Sequence, residues 1–380
     1  DKAGLMPMAM RERERVHALV QTDDGRWLAF DDPAQIIEAR NPEGVSGAIA
    51  DVERLTRDAG YHAVGFLSYE AGSAFGLAVH RGRDEDVPLV WFGLFENKNV
   101  IAIDGPLSSP ALPGRYALGD LTPSIDRGRF EAAFGRIKQH LVEGDSYQVN
   151  FTFRMRGPFE GDARSLFADL VEAQQGRHSA FVHIGSHSIC SASPELFFAL
   201  DGLDVSARPM KGTARRGRTL AEDRTRGDHL RSSQKQRAEN VMIVDMVRND
   251  LGRIADVGSV QVPELFTLER YPNVWQMTSL VTGRSRAALG DVFAALHPSA
   301  SVTGAPKVRT MEILKELEGE PRGVYTGAVG HVRPDGNARF SVAIRTAVVD
   351  HRRGSVEFGI GSGIVWDSDP EEEYEECLLK

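Results

Sequence analysis

The sequence predicts a mixed α+β fold. Short apolar runs with two-residue alternation recur along the chain, bounded by Gly, Pro, Asn and Asp. Several pair naturally as hairpins, and few strand–helix–strand units of the kind a parallel sheet needs are present. Helical periodicity is confined to a few segments between them. At 380 residues the chain can bury a large core. Length alone suggests two or three domains and also permits one large sheet-based domain.

Taken in order, residues 60–102 read as strand-rich, with apolar runs at 65–69 and 89–95. Residues 105–125 hold Pro106, Pro110, Pro113 and Pro123 among Gly and Ser and read as a linker. It separates an N-terminal region, residues 1–120, from the region 121–380, with one structural unit expected overall. A helix is predicted over 130–142, stopping at Gly144. Strands follow near 147–153 and 179–184, and another pair runs through 187–200 and 203–210.

Residues 214–237 are crowded with charge, including Arg215, Arg216, Arg218, Glu222, Asp223, Arg224 and Arg226. They read as a solvated loop, the sharper alternative being a mobile lid. Residues 236–251 are helical. There Val241, Met242, Ile243, Val244, Met246 and Val247 leave almost no polar face, so burial is expected. The last strands, 338–349 and 355–366, should form a hairpin around Arg352-Arg353-Gly354. In the first, Phe340, Val342 and Ile344 oppose Arg339, Ser341, Ala343 and Arg345. In the second, Val356, Phe358 and Ile360 oppose Gly359, Gly361 and Gly363.

Bulk composition narrows the function classes. A net charge of −9 argues against nucleic acid or an anionic membrane as the principal partner, and an anionic ligand would need a local cationic site. No apolar run has the length of a membrane span. Residues 1–10 lack the pattern of a signal peptide. Cys190 and Cys377 lie far apart without metal-type spacing, so a reducing cytoplasm is the expected location.

Individual residues gain meaning only in combination. Glu239 starts a helix expected to be buried, where a carboxylate needs a cation or hydrogen bonds to stay charged. Near the C-terminus Asp369 is a good N-cap, Pro370 a good first helical residue, and Glu372 completes a capping box. The acids that follow could serve only the helix dipole. Glu373 and Glu376, three apart, share a helix face, and carboxylates converging from two helices suit Mg²⁺. Gly359, Gly361 and Gly363 strip one strand face, either for close backbone packing or for a ligand laid on bare N–H groups. Arg345 beside such a face could hold a carboxylate bidentately. Lys211, before a Gly-Thr turn, is an ordinary surface lysine unless a pocket frees its amine for nucleophilic attack. Glu195 is followed by Phe197 and Phe198, surroundings that favour a raised carboxyl pKa; otherwise it sits at a strand edge. No Walker loop, zinc motif or nucleophile elbow is present.

Together these segments resemble the chorismate-utilising enzymes: anthranilate and aminodeoxychorismate synthase components I and the isochorismate and salicylate synthases. The resemblance rests on ordered runs across residues 125–380. They include Gly144-Asp145-Ser146-Tyr147-Gln148-Val149-Asn150, Ser193-Pro194-Glu195-Leu196-Phe197 and Arg208-Pro209-Met210-Lys211-Gly212-Thr213. Ala238-Glu239-Asn240, Arg248-Asn249-Asp250-Leu251-Gly252-Arg253, Ser301-Val302-Thr303-Gly304-Ala305-Pro306-Lys307, Tyr325-Thr326-Gly327 and Gly361-Ser362-Gly363 continue the order.

The resemblance implies two large, mostly antiparallel sheets packed face to face with surrounding helices. It implies Mg²⁺ held by Glu239 and Glu376 with Glu373 in support, and chorismate as substrate. Gly212 and Gly363 would offer N–H groups to the ring carboxylate, with Thr213 and Gly361 beside them. Tyr325 and Arg345 would hold the enolpyruvyl carboxylate, Ser301 and Thr303 would line the ring, and Glu195 would be the general acid. Gln148 stands where water-using members have a basic lysine, which disfavours hydration. Lys211 is typical of the aminodeoxychorismate synthases and implies its attack on C2, leading to a precursor of p-aminobenzoate and folate. Gln276 replaces a histidine linked to pyruvate elimination, which fits a product that keeps its enolpyruvyl group. Neither cysteine sits in a glutaminase-like context, so ammonia is expected from a separate glutaminase subunit. The alternatives are an anthranilate synthase component and a non-catalytic ligand-binding subunit.

Overall fold

The structure is a computed structural model that describes residues 17–82, 86–106 and 115–379. Two large antiparallel sheets dominate it. Among the described residues the first has eleven strands, in the order Gly304–Ala305, Gln148–Gly161, Ser355–Ile364, Thr346–Asp350, His187–Ser193, His178–His183, His17–Gln21, Trp27–Asp31 and Val100–Ile103. Tyr116–Leu118 and Thr122–Pro123 also pair with Gln148–Gly161. The second has ten: Met210–Arg215, Val274–Arg284, Asp204–Arg208, Leu196–Asp201, Ala338–Val342, Ala328–Val332, His62–Leu67, Val90–Phe95 and Gln35–Ala39, with Gln261–Arg270 on Val274–Arg284. Strands from before residue 120 pair with later ones in both sheets.

Alternation along each strand supplies the interior between the sheets. Ala18, Val20, Phe30, Ala180, Val182 and Ile189 of the first sheet meet Val64, Phe66, Trp91, Phe95 and Val329 of the second. Helices cover the outer faces. Pro42–Ala59, Gln234–Gly252 and Leu289–Leu296 pack on the second sheet. Ala163–Gln174 packs on the first, whose far end is covered by Arg127–Glu143, Lys307–Leu317 and the terminal Pro370–Leu379. Among the described residues no helix is long and apolar enough to cross a membrane.

Several expectations need correction. The charged stretch 214–237 is no loop: it holds the helix Leu220–Ser232, capped by the Thr219 hydroxyl accepting from the Glu222 N–H at 3.2 Å. Arg216 clamps Asp223 through two donors at 2.6 and 2.7 Å. Two local ion pairs, Arg216 with Asp223 and Arg226 with Glu222, use part of the charge, while Arg215, Arg218 and Arg224 are exposed. The helix Gln234–Gly252 is only half buried, because Val241 is 38% exposed while Ile243, Val244 and Val247 face the core. The helix Ala163–Gln174 was not anticipated. The proposed linker lies partly outside the described residues, and its far end, Thr122–Pro123, joins the first sheet; the stretch 1–10 lies wholly outside them.

The expected strands 187–200 and 338–349 are each broken. His187–Ser193 lies in the first sheet and Leu196–Asp201 in the second; Ala338–Val342 lies in the second and Thr346–Asp350 in the first. The halves on both sides of each break are largely buried, so burial does not mark where the sheet changes. The last hairpin is correspondingly shorter, Thr346–Asp350 with Ser355–Ile364.

Candidate active site

Two of the places where the chain changes sheets, after Ser193 and after Val342, lie side by side and are stitched together. The Ser193 hydroxyl donates to the Val342 carbonyl at 2.6 Å, the Val342 N–H to the Glu195 carbonyl at 3.1 Å, and the Ala192 N–H to the Arg345 carbonyl at 3.1 Å. Glu195 and Arg345 sit on these crossings, outside any regular ladder. Arg345 has φ 52°, a left-handed conformation uncommon for a non-glycine residue.

A cavity of about 580 Å³ opens beside the crossings. Its wall includes Glu195, Lys211, Gly212, Thr213, Glu239, Gln276, Ser301, Tyr325, Arg345, Gly361, Gly363, Glu373 and Glu376. Residues almost two hundred positions apart are thus brought to one space. Two expected residues are not on that wall. Thr303 is fully buried and its hydroxyl donates to the Ser299 carbonyl at 3.1 Å, so it stabilises the turn behind Ser301 rather than lining the cavity. Gln148 is also fully buried, and neither atom of its side-chain amide has a hydrogen-bond partner. Asn150 does line the cavity and was passed over, although it closes the same sequence run.

The three glycines of one strand are bare for three different reasons. A Cβ on Gly363 would collide with Lys211 Nζ and come within 3.1 Å of Gln148 Nε2. A Cβ on Gly359 would strike the Tyr325 ring, and one on Gly361 would crowd the Phe151 carbonyl. Close packing against protein atoms thus accounts for the bare face at each of the three positions.

The electrostatics set acid against amine. Burial raises the Glu195 carboxyl to about 7, against the opposing effects of the Ser301 hydrogen bond, the Lys211 charge and a Met210 backbone bond. Ser301 Oγ donates to Glu195 Oε1 at 2.6 Å. Burial likewise raises Glu239, helped by Glu373 and Glu376 and opposed by Lys211 and Lys235. Tyr325 is pushed up to about 12 by burial. Burial lowers Arg345, whose Nη1 donates to Gln174 Oε1 at 2.6 Å. Gln276 Oε1 accepts from the Thr213 hydroxyl at 3.0 Å.

Glu239 comes from the helix Gln234–Gly252, and Glu373 and Glu376 from Pro370–Leu379, whose N-cap Asp369 accepts from the Glu371 and Glu372 N–H groups at 2.9 and 3.2 Å. Their oxygen-only donor set suits a hard divalent cation. The carboxylates do not stand within ligand spacing of one another. Glu373 instead accepts from the Ser368 hydroxyl at 2.6 Å. Among the described residues the only group with such spacing is His140, Glu143 and Asp145, away from the cavity wall.

Acid, amine, cation and carboxylates around one cavity define an enzyme-like site for a small anionic molecule. The chain belongs to the chorismate binding enzymes, a family that matches residues 14–380. It is similar to aminodeoxychorismate synthase component 1 of Escherichia coli (strain K12), 39% identical over 263 residues, which cover 69% of this chain and 58% of that enzyme. The chain thus spans less than two thirds of that relative's length. It is also similar to anthranilate synthase component 1 of Methanothermobacter marburgensis, 32% identical over 397 residues, covering 98% of this chain and 82% of that one. The crystal structure of anthranilate synthase component I from Streptococcus pneumoniae TIGR4 shares the fold, with a TM-score of 0.78 at 23% identity over 100% of this chain and 94% of that one.

Proposed function

We propose that this protein aminates chorismate, acting as the first component of an aminodeoxychorismate synthase. The observation that carries the reading is Lys211, whose Nζ reaches the cavity at the bare Cα of Gly363, with Glu195 on the same wall. The neutral Lys211 amine attacks C2 of the ring. The two ring double bonds shift, and the C4 hydroxyl leaves as water with the proton that Glu195 carries. Ammonia then adds at C4, the double bonds shift back, and Lys211 departs. The product is 4-amino-4-deoxychorismate.

Arg345 and Tyr325 bind the enolpyruvyl carboxylate, and the Gly212 and Gly363 N–H groups face the ring carboxylate. Glu239 and Glu376, with Glu373, would hold Mg²⁺, which when bound supplies positive charge to that carboxylate. Ammonia is taken from a separate glutaminase or from ammonium salts. A second reading, anthranilate formation, is favoured by a relative of that name that aligns over 98% of the chain. Lys211 and Gln276 support the first.

The test incubates the purified chain with chorismate, Mg²⁺ and ammonium chloride and separates the products. Expected is 4-amino-4-deoxychorismate, lost in Lys211→Ala and not restored in Lys211→Arg, whose guanidinium stays protonated. Fluorescent anthranilate would select the second reading. A normal rate in Lys211→Ala would end the case for covalent catalysis.

A further inference from the structure

Arg322 does not line the cavity and is 1% exposed, yet every one of its N–H donors is engaged. Nε and Nη2 grip the two oxygens of Glu318 at 2.8 and 2.7 Å. The other Nη2 hydrogen goes to the Asn150 carbonyl at 2.8 Å, and Nη1 reaches the Val302 carbonyl at 2.7 Å and Thr326 Oγ1 at 3.3 Å. These acceptors belong to three separate segments. Asn150 is itself on the cavity wall, Val302 follows Ser301, and Thr326 follows Tyr325. A single guanidinium therefore fixes the supports of three groups that face the cavity.

The local backbone needs such a tether. Thr326 is a β-branched residue at φ 61°, a conformation that persists only where surrounding bonds over-determine it. Its hydroxyl donates to the Tyr325 carbonyl at 2.6 Å while accepting from Arg322, and its N–H is bonded to the Ala343 carbonyl at 2.9 Å. The Tyr325 ring is then held between the bare Cα of Gly359 and the Arg154 guanidinium, 5.2 Å from the ring centroid. Arg154 Nη1 is tied back by Thr152 Oγ1 at 3.2 Å, and that hydroxyl donates to Glu318 at 2.9 Å.

We propose that Arg322 is a positioning residue: through Thr326, Val302 and Asn150 it sets where Tyr325 and Ser301 meet the substrate. The assignment rests on the functional reading above. It predicts an effect on the affinity for the anionic ring substrate and none on that for ammonia, because the tethered segments form the ring's wall.

The experiment measures chorismate and ammonium KM separately for wild type, Arg322→Lys, Thr326→Gly and Thr326→Ser. Arg322→Lys keeps the charge beside Glu318 but loses the fork that reaches the three acceptors. Thr326→Gly leaves the buried pair intact and relieves the positive φ while removing the tethered hydroxyl with its β-carbon and methyl, and Thr326→Ser keeps the hydroxyl without the methyl, so the two together decide the matter even if the lysine variant does not fold. Expected is a rise of about tenfold in chorismate KM for Thr326→Gly, the scale of loss from a small misplacement of binding groups. Ammonium KM should be unchanged and Thr326→Ser close to wild type. A merely structural role would lower the active fraction and leave both KM values alone. An unaltered chorismate KM in Thr326→Gly overturns the proposal, as does a serine variant no better than the glycine one. Absence of chorismate turnover in wild type would instead refute the functional reading, and this inference with it.

Discussion

Removing the Ser301 hydroxyl should move the pH at which the enzyme loses activity. Glu195 must be protonated to deliver its proton, so the rate should fall as pH rises through its pKa, about 7 in the folded protein. Ser301 donates to the carboxylate at 2.6 Å, which favours the charged form and lowers that pKa. A hydrogen bond to a charged group contributes about 1.5 kcal/mol or more, which corresponds to about one pKa unit. In Ser301→Ala the bond is gone and burial is left to act, so the alkaline limb should move up by about one unit. The sign is fixed: losing a bond to the anion can only raise the pKa. The assay follows kcat/KM for chorismate from about pH 6 to about pH 9 in wild type, Ser301→Ala and Glu195→Gln. Glu195→Gln should lose about a hundredfold or more and with it the limb. A limb that stays put in Ser301→Ala, or that survives in an active Glu195→Gln, would refute the assignment.

Glu239→Gln and Glu376→Gln keep side-chain volume and lose charge, so each should abolish turnover at limiting Mg²⁺ without changing the melting temperature; near-normal activity in both would discard the metal assignment. Ammonium chloride should support turnover by the purified chain, whereas glutamine should not until a glutaminase is added; product from glutamine with the chain alone would contradict this. Burial holds His178, His297 and His331 neutral, each lowered to about 3. Their folded pKa lies below the unfolded value, so their contribution is present above about pH 6.5 and is lost as pH falls towards about 3. At about pH 5 each costs about 2 kcal/mol as an upper bound, while Glu70 and Glu195, raised by burial to about 7, act in the opposite direction. Melting temperatures of wild type and His331→Phe therefore isolate the effect: the variant should lose less stability on acidification, and equal losses would rule out the histidine contribution.

The fold class was legible because short strand-like runs recur along the chain, with clear two-residue alternation in Gln148–Gly161 and Ser355–Ile364, although strands such as Val90–Phe95 and His187–Ser193 are buried on both faces and show none. What escaped was where a strand changes sheets. The strands on either side of Ser193–Leu196 and of Val342–Thr346 are largely buried, so neither break shows as a change from apolar to exposed sequence. The helix Gln234–Gly252 misled for the opposite reason: Val241 is apolar but faces outward, which composition cannot reveal. Residues that face the cavity, such as Lys211, Glu195 and Glu239, stood out once several runs were read together. Their supports did not. Arg322 and Glu318 lie in a stretch of Glu, Gly and Pro that looks like any solvated turn, and only three-dimensional packing shows both to be buried.

The paired crossings turn the site into the gap of a clamp. Lys211 rides on an edge strand of the second sheet, while Gly363, at which it is aimed, belongs to the first. Glu195 and Arg345 sit on two of the straps that join the sheets, and these two straps are hydrogen-bonded to each other. The distance between the jaws is set far from the chemistry, where Phe66 and Trp91 meet Ala180 and Val182. Thinning that interior would change the reach of the amine towards its target without touching a single residue of the cavity wall.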